Sequence, residues 1–122
     1  LLLDKNENIT LAKALITPGT CYYWADIAII TAGMSRFEAA CCGTPALYLY
    51  RNYFQKLNAS ELHTCAGWAI GDIEAIQSSL LVVGIATMSV HARQHMSNNG
   101  KALVDGKGID RIIEAIKRLC GD

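Results

Sequence analysis

The residues of this chain with the most chemical promise gather around one short turn. Thr31-Ala32-Gly33 is small enough to turn sharply, and Met34, Ser35 and Glu38 follow it directly. Ser35 and Glu38 have the spacing of a capping box, in which the serine closes the start of a helix and the glutamate reaches back to it. A strand, a tight turn and a helix N-terminus in that order also present backbone N–H groups to an anion. Gly33 serves either purpose, by permitting the turn or by letting a phosphate come close. A second polar group lies further on. Arg51 and Asn52 follow an apolar run, where a strand's carboxyl end can meet an anion, and Gln55 and Asn58 share one helix face. That face has an ordinary alternative as a solvated surface.

The elements that position these residues can be read around them. Ile27 to Ile30 is a short β-branched run suited to a strand buried on both faces. Gly43 and Pro45 end the helix after Ser35, and Ala46 to Tyr50 is the next buried strand. Upstream, Ile9 to Ile16 is a candidate first strand, and Cys21 to Ala25 a helical turn capped by Thr20. Downstream, Phe54 to Cys65 reads as a helix stopped by Gly67, and Trp68 to Ile70 as a strand. Asp72 can cap a helix over Ile73 to Leu80, which Leu81 to Gly84 continues and breaks. Ile85 to Met96 reads as a further helix stopped by Ser97-Asn98-Asn99-Gly100. Ile109, Ile112, Ile113 and Ile116 recur at helical spacing in a last, amphipathic helix, with Asp110 near its start and Lys117 and Arg118 near its end. Strands alternating with helices imply an α/β fold: a Rossmann-like parallel sheet flanked by helices.

At 122 residues the chain suits a single domain over 1–122, and 52% hydrophobic against 18% charged residues excludes disorder. Eleven basic residues balance eleven acidic ones, so no nucleic-acid partner is expected. Five cysteines with no Cys-x-x-Cys spacing point to buried free thiols in a reducing, cytoplasmic setting. His91 and His95 are four apart, but Ala92 stands where a zinc protease motif needs glutamate, so no metal is expected. Cys41 and Cys42 are expected to pack, and Trp24, Trp68 and the tyrosines to lie in the core or an interface. No apolar run approaches the roughly 20 residues that span a bilayer. Leu1-Leu2-Leu3 running into Asp4-Lys5-Asn6-Glu7 reads as the end of an element, and the chain as a piece of something longer.

Several of these stretches together resemble a known family. Ala25-Asp26-Ile27-Ala28-Ile29, then Ala32-Gly33-x-Ser35-x-Phe37-Glu38 and Gly43-x-Pro45, are similar to the C-terminal domain of GT-B fold nucleotide-sugar enzymes. The resemblance is to the group of the peptidoglycan N-acetylglucosaminyltransferase, and within it to the pseudaminic acid pathway UDP-sugar hydrolase and the SpsG-type spore coat polysaccharide proteins. Asn52-x-x-Gln55-x-x-Asn58-Ala59 and Val104-Asp105-Gly106-Lys107-Gly108 match two further motifs of that group. The resemblance covers roughly Asn8 to the end. One departure is Ala32, where the group has the first of two adjacent glycines.

The resemblance implies the donor-binding half of a glycosyltransferase or UDP-sugar hydrolase of surface polysaccharide biosynthesis, with no cofactor. Glu38 would accept from the ribose hydroxyls, the diphosphate would lie over Gly33, Met34 and Ser35, and Arg51, Asn52, Gln55 and Asn58 would meet the diphosphate or sugar. The catalytic base would come from a missing N-terminal domain, so this chain alone would turn over nothing. Two other readings stay open. The chain is a partner subunit docking on a separate acceptor-binding protein, or an inactive truncated remnant. The extra methyl of Ala32 bears on how closely a diphosphate can approach the turn.

Overall fold

Three short strands lie side by side. The central one is buried along nearly its whole length, whereas Ile29 of the first is 47% exposed, so that strand is not buried on both faces as its β-branched run suggests. The computed structural model describes residues 8–12 and 17–121. Strands β1 (Ala28–Thr31), β2 (Ala46–Tyr50) and β3 (Gly67–Asp72) form an all-parallel sheet in the order β1-β2-β3. Ala28 pairs with Ala46, and Ala46 with Gly67, so the strands start level. Helix α2 (Ser35–Cys42) connects β1 to β2, and α3 (Tyr53–Glu61) connects β2 to β3. These crossovers are what parallel strands require. Helix α1 (Pro18–Trp24) precedes the sheet; α4 (Ser78–Thr87), α5 (Val90–Leu103) and α6 (Gly108–Cys120) follow it. The expected Rossmann-like arrangement is therefore present.

The central strand sends alternate side chains into two clusters. Ala46 and Tyr48 pack with Ala28, Ala32, Ala59 and Leu62. Leu47 packs on the other face with Met88 and Met96. Phe37 of α2 adjoins the first cluster, as does Tyr22 of α1. Helix α5 reaches α2 at Gly100, where a Cβ would stand 2.9 Å from the Ala40 carbonyl oxygen.

Several element boundaries differ from the sequence expectation, each for a visible reason. The candidate strand from Ile9 to Ile16 is not a strand over residues 9–12, and 13–16 lie outside the described residues, as do Leu1 to Leu3. Helix α1 starts at Pro18, with Thr17 at its N-cap and no side-chain cap; Thr20 instead donates its hydroxyl to the Thr17 carbonyl at 2.6 Å. Helix α3 stops at Glu61, not Cys65, because Thr64 takes a left-handed φ of 65° and Gly67 already belongs to β3. Asp72 does accept from the Glu74 N–H at 2.9 Å, but this closes a short turn, and the helix begins only at Ser78. The polar run from Ser97 to Gly100 lies inside α5, since close packing on Ala40 rewards a glycine there. Ser89 caps α5 by accepting from the Ala92 N–H at 3.1 Å, so the break falls at Met88. Gly43 ends α2 as expected, with φ 75°.

Surface placement also departs from expectation. Trp24 is 88% exposed and belongs to no core among the described residues, whereas Trp68 packs beside the Leu47 cluster. All five cysteines are free, but none is buried as expected: Cys21 and Cys120 are exposed, and Cys41, Cys42 and Cys65 are half-buried. No described helix is long and apolar enough to cross a membrane.

Candidate functional site

The turn from β1 into α2 is built so that its carbonyl oxygens face inward. Gly33 N–H donates to the Thr31 carbonyl at 2.8 Å, and the Ser35 hydroxyl donates to the same carbonyl at 3.2 Å. Asn58, half-buried on α3, donates its amide to the Ala32 carbonyl at 3.3 Å. Arg36 donates from Nη1 to the Gly33 carbonyl at 2.8 Å. The backbone N–H groups of Met34 and Ser35 have no acceptor among the described residues. Unpaired N–H groups at a helix start carry the positive end of its dipole.

The capping box expected at Ser35 and Glu38 is not formed. Met34 holds the N-cap position with helical dihedrals, and no side chain caps the helix. Ser35 is the first helical residue, and its hydroxyl is turned back to Thr31. Glu38 is exposed and makes no hydrogen bond or ion pair among the described residues. Its charge is nonetheless felt nearby. Burial, followed by the Glu38 charge, pushes the Tyr22 phenol up, against a hydrogen bond to Ser35 that lowers it.

The glycine and alanine of the turn play different parts. The methyl of Ala32 is fully buried in the cluster around Tyr48, so it points away from the outer side of the turn. A Cβ on Gly33 would meet nothing within 4 Å, and its φ is not in the left-handed region. Gly33 is therefore not required by backbone conformation. It leaves open space beside the free N–H groups.

Glu38 lines a groove of about 710 Å³ that brings two sequence motifs together. One wall is Pro18 and Gly19, the floor is Phe37, Glu38, Cys41 and Cys42, and the far wall is Val104 to Gly106 with the start of α6. Groove size and a largely apolar lining with a few charged groups suit a small organic ligand. Asp105 shapes the far wall. It accepts from the Lys107 N–H at 3.0 Å and grips Arg111 with both oxygens, Nη1 at 2.9 Å from Oδ1. The hydrogen bond from Arg111, then that from Lys107, holds the Asp105 carboxyl down at about 2. Burial, with Cys41 and Glu38 close by, pushes the Cys42 thiol up and away from the thiolate, which suits packing over nucleophilic chemistry. A smaller groove of about 430 Å³ lies between β3 and α4, with Asp72 as its one charged residue.

The second polar group forms its own structure one strand over. Asn52 caps α3 by accepting from the Gln55 N–H at 2.9 Å, and Gln55 Oε1 accepts from the Arg51 N–H at 2.9 Å. Of Arg51, Asn52, Gln55 and Asn58, only Asn58 hydrogen-bonds to the β1–α2 turn. His91 and His95 are exposed; His95 Nε2 lies 3.0 Å from the Asn99 amide, and no group of metal-binding side chains occurs among the described residues. Arg36 is the residue that sequence reasoning missed. Its signal was a cation in the first turn of a helix, where the dipole disfavours one.

Among curated proteins, the chain is 29% identical over 98 residues to the spore coat polysaccharide biosynthesis protein SpsG of Bacillus subtilis (strain 168). The match takes in 78% of this chain and 29% of SpsG, so the chain spans under a third of that relative's length. No family model matches the chain, and no solved structure matches it.

Proposed function

We propose that this chain binds the nucleoside diphosphate part of a UDP-sugar, as the donor-binding part of a sugar-transferring or sugar-hydrolysing protein of polysaccharide biosynthesis. The observation that carries the reading is that the 710 Å³ groove is lined by Glu38, in the first turn of α2 and three residues after Ser35 at the β1–α2 turn. The unpaired Glu38 carboxylate can accept from two adjacent ribose hydroxyls while the nucleoside fills the groove. The Met34 and Ser35 N–H groups, with open space beside Gly33, then receive the diphosphate. Arg51, Asn52 and Gln55 sit at the next strand end, within the region the sugar would occupy, and Asn58 braces the turn. The relationship to SpsG, a spore coat polysaccharide biosynthesis protein by its name, supports the pathway class. Such chemistry depends on positioning and on stabilising the leaving diphosphate, and its catalytic base would come from a GT-B N-terminal domain.

Calorimetric titration with UDP tests this. The chain is expected to bind UDP weakly, and Glu38→Ala to lose about tenfold or more in affinity, the size of one or two hydrogen bonds to a charged group. Equal binding by both proteins would remove Glu38 from the site.

One observation favours a second role alongside the first, docking on an acceptor-binding domain or subunit. Ile109, Ile112, Ile113, Ile116 and Leu119 form the apolar stripe of α6, and all are 46–86% exposed. An apolar stripe of this width ordinarily faces a core. Ile112→Glu and Ile116→Glu should leave UDP binding intact and abolish capture of an acceptor-binding partner in a co-expression pull-down; retained capture would dismiss the α6 face.

A further inference from the structure

Arg36 breaks two rules at once. It places a cation in the first turn of α2, against the helix dipole. It also buries that cation: the residue is 6% exposed. A buried guanidinium is costly unless fully paired, and this one is not. Its Nη1 donates to the Gly33 carbonyl at 2.8 Å, its Nη2 reaches Glu61 Oε2 at 3.4 Å, and its Cζ stacks 4.0 Å over the Phe37 ring. Glu61 is largely exposed, so water screens its charge. Nε is buried with no partner, and so is the hydroxyl of Tyr48. The Tyr48 phenol is pushed up to about 12 by burial, with the Arg36 charge pulling it back, so the cation is felt within the core. A leucine or methionine would pack here without these costs.

We infer that Arg36 is the positioning residue of the anion site: it holds the Gly33 carbonyl inward and sets an incompletely neutralised positive charge beneath the turn, so that the outer N–H groups receive a phosphate. The inference rests on the nucleoside diphosphate reading above, and assigns the phosphate half of that ligand to Arg36 as Glu38 takes the nucleoside half. An anion over the turn supplies the counter-charge that Glu61 supplies only in part.

Titration with three probes separates the two halves: UDP, inorganic pyrophosphate and uridine. In Arg36→Met, affinity for UDP and pyrophosphate is expected to fall about tenfold or more, as for loss of a nearby, poorly screened positive charge and of the turn's geometry, while uridine affinity stays within about twofold. A parallel loss for uridine, or no loss for UDP, overturns the inference and leaves the nucleotide reading standing. Failure of the unaltered chain to bind either UDP or uridine overturns both. Should Arg36→Met fail to fold, Glu61→Gln decides, since Glu61 is exposed and its loss leaves the cation less neutralised. UDP and pyrophosphate affinity should then rise about twofold with uridine unchanged, an effect a merely structural arginine would not produce. An unchanged or lower affinity for the two anions overturns the inference.

Discussion

The β1–α2 and β2–α3 junctions follow one plan and reach opposite ends. In each, a parallel strand stops, the chain turns, and a helix starts back over the Tyr48 cluster. At the second junction side chains take two N–H groups, Asn52 that of Gln55 and Gln55 that of Arg51, while those of Tyr53 and Phe54 have no acceptor among the described residues. At the first, the serine and glutamate that could close it do not. The Met34 and Ser35 N–H groups stay open, Glu38 stays unpaired, and a buried arginine lies beneath. A protein stabilises a helix start by capping it. Both starts leave two N–H groups open; what sets the first apart is the missing side-chain cap, the unpaired Glu38 and the buried cation, which give up stability and favour an anion outside the chain.

The sharpest way to break this contrast is to fill the open side of the first junction. A Cβ on Gly33 meets no atom within 4 Å, and the residue needs no left-handed φ. Gly33→Val should therefore keep its melting temperature close to that of the unaltered chain, within about 1 kcal/mol of stability. Its branched side chain stands where the phosphate is proposed to sit, so UDP affinity should drop about tenfold or more. Unaltered UDP binding in a folded Gly33→Val would move the anion away from this turn.

The next largest effect exchanges the roles of the two helix starts. Asn52→Ala removes a formed cap and should cost about 1 kcal/mol in urea unfolding. Ser35→Ala removes a hydroxyl that caps nothing and should cost only a few tenths of a kcal/mol. Equal costs would mean that both junctions are structural.

The capping signature explains what was legible in the sequence and what was not. Spacing alone offers Ser35 and Glu38 a box, whereas the side-chain cap forms at Asn52, with Gln55 reaching back past it to the Arg51 N–H. The i, i+3 pattern is local, but the choice between the two sites is not. It turns on Asn58 and Arg36 drawing the Ala32 and Gly33 carbonyls inward, contacts that depend on how α2 and α3 pack. The strands β1 and β2 are plain because a short β-branched or aromatic run carries its own signal, although only β2 is covered on both faces and Ile29 of β1 stays exposed. The limits of α4 and α5 were hidden because Gly84 and Gly100 read as helix breakers. Close packing on Ile70 and Leu47 in one case, and on Ala40 in the other, keeps each glycine inside its helix. Residue type alone gives no direction for the Ala32 methyl, which the fold turns into the core and away from the outer side of the turn. The meeting of Glu38 with Asp105 across the groove was legible only as two separate motifs.

A third helix start, that of α6, sharpens the comparison through pH and carries the smallest effect. Its N-cap residue Lys107 makes no side-chain cap, and the loop before it is held by Asp105. Arg111 and the Lys107 N–H lower the Asp105 carboxyl to about 2 in the folded chain, below its ordinary value near 4. The folded state thus binds this proton less tightly than the unfolded one. The stabilisation it gives is fully present above pH 4 and is lost as the pH falls toward 2. Between pH 5 and 8 the loop should hold its shape, and UDP affinity should owe nothing to Asp105 titration. Carboxyl carbon resonances followed by NMR should put the Asp105 midpoint near 2, and Arg111→Ala should return it toward the ordinary carboxylate range. The pair is exposed, so salt should weaken it. An Asp105 midpoint that stays low in Arg111→Ala would mean that the Lys107 N–H alone holds the far wall of the groove, and that this helix start is closed from the backbone as firmly as α3 is closed by Asn52.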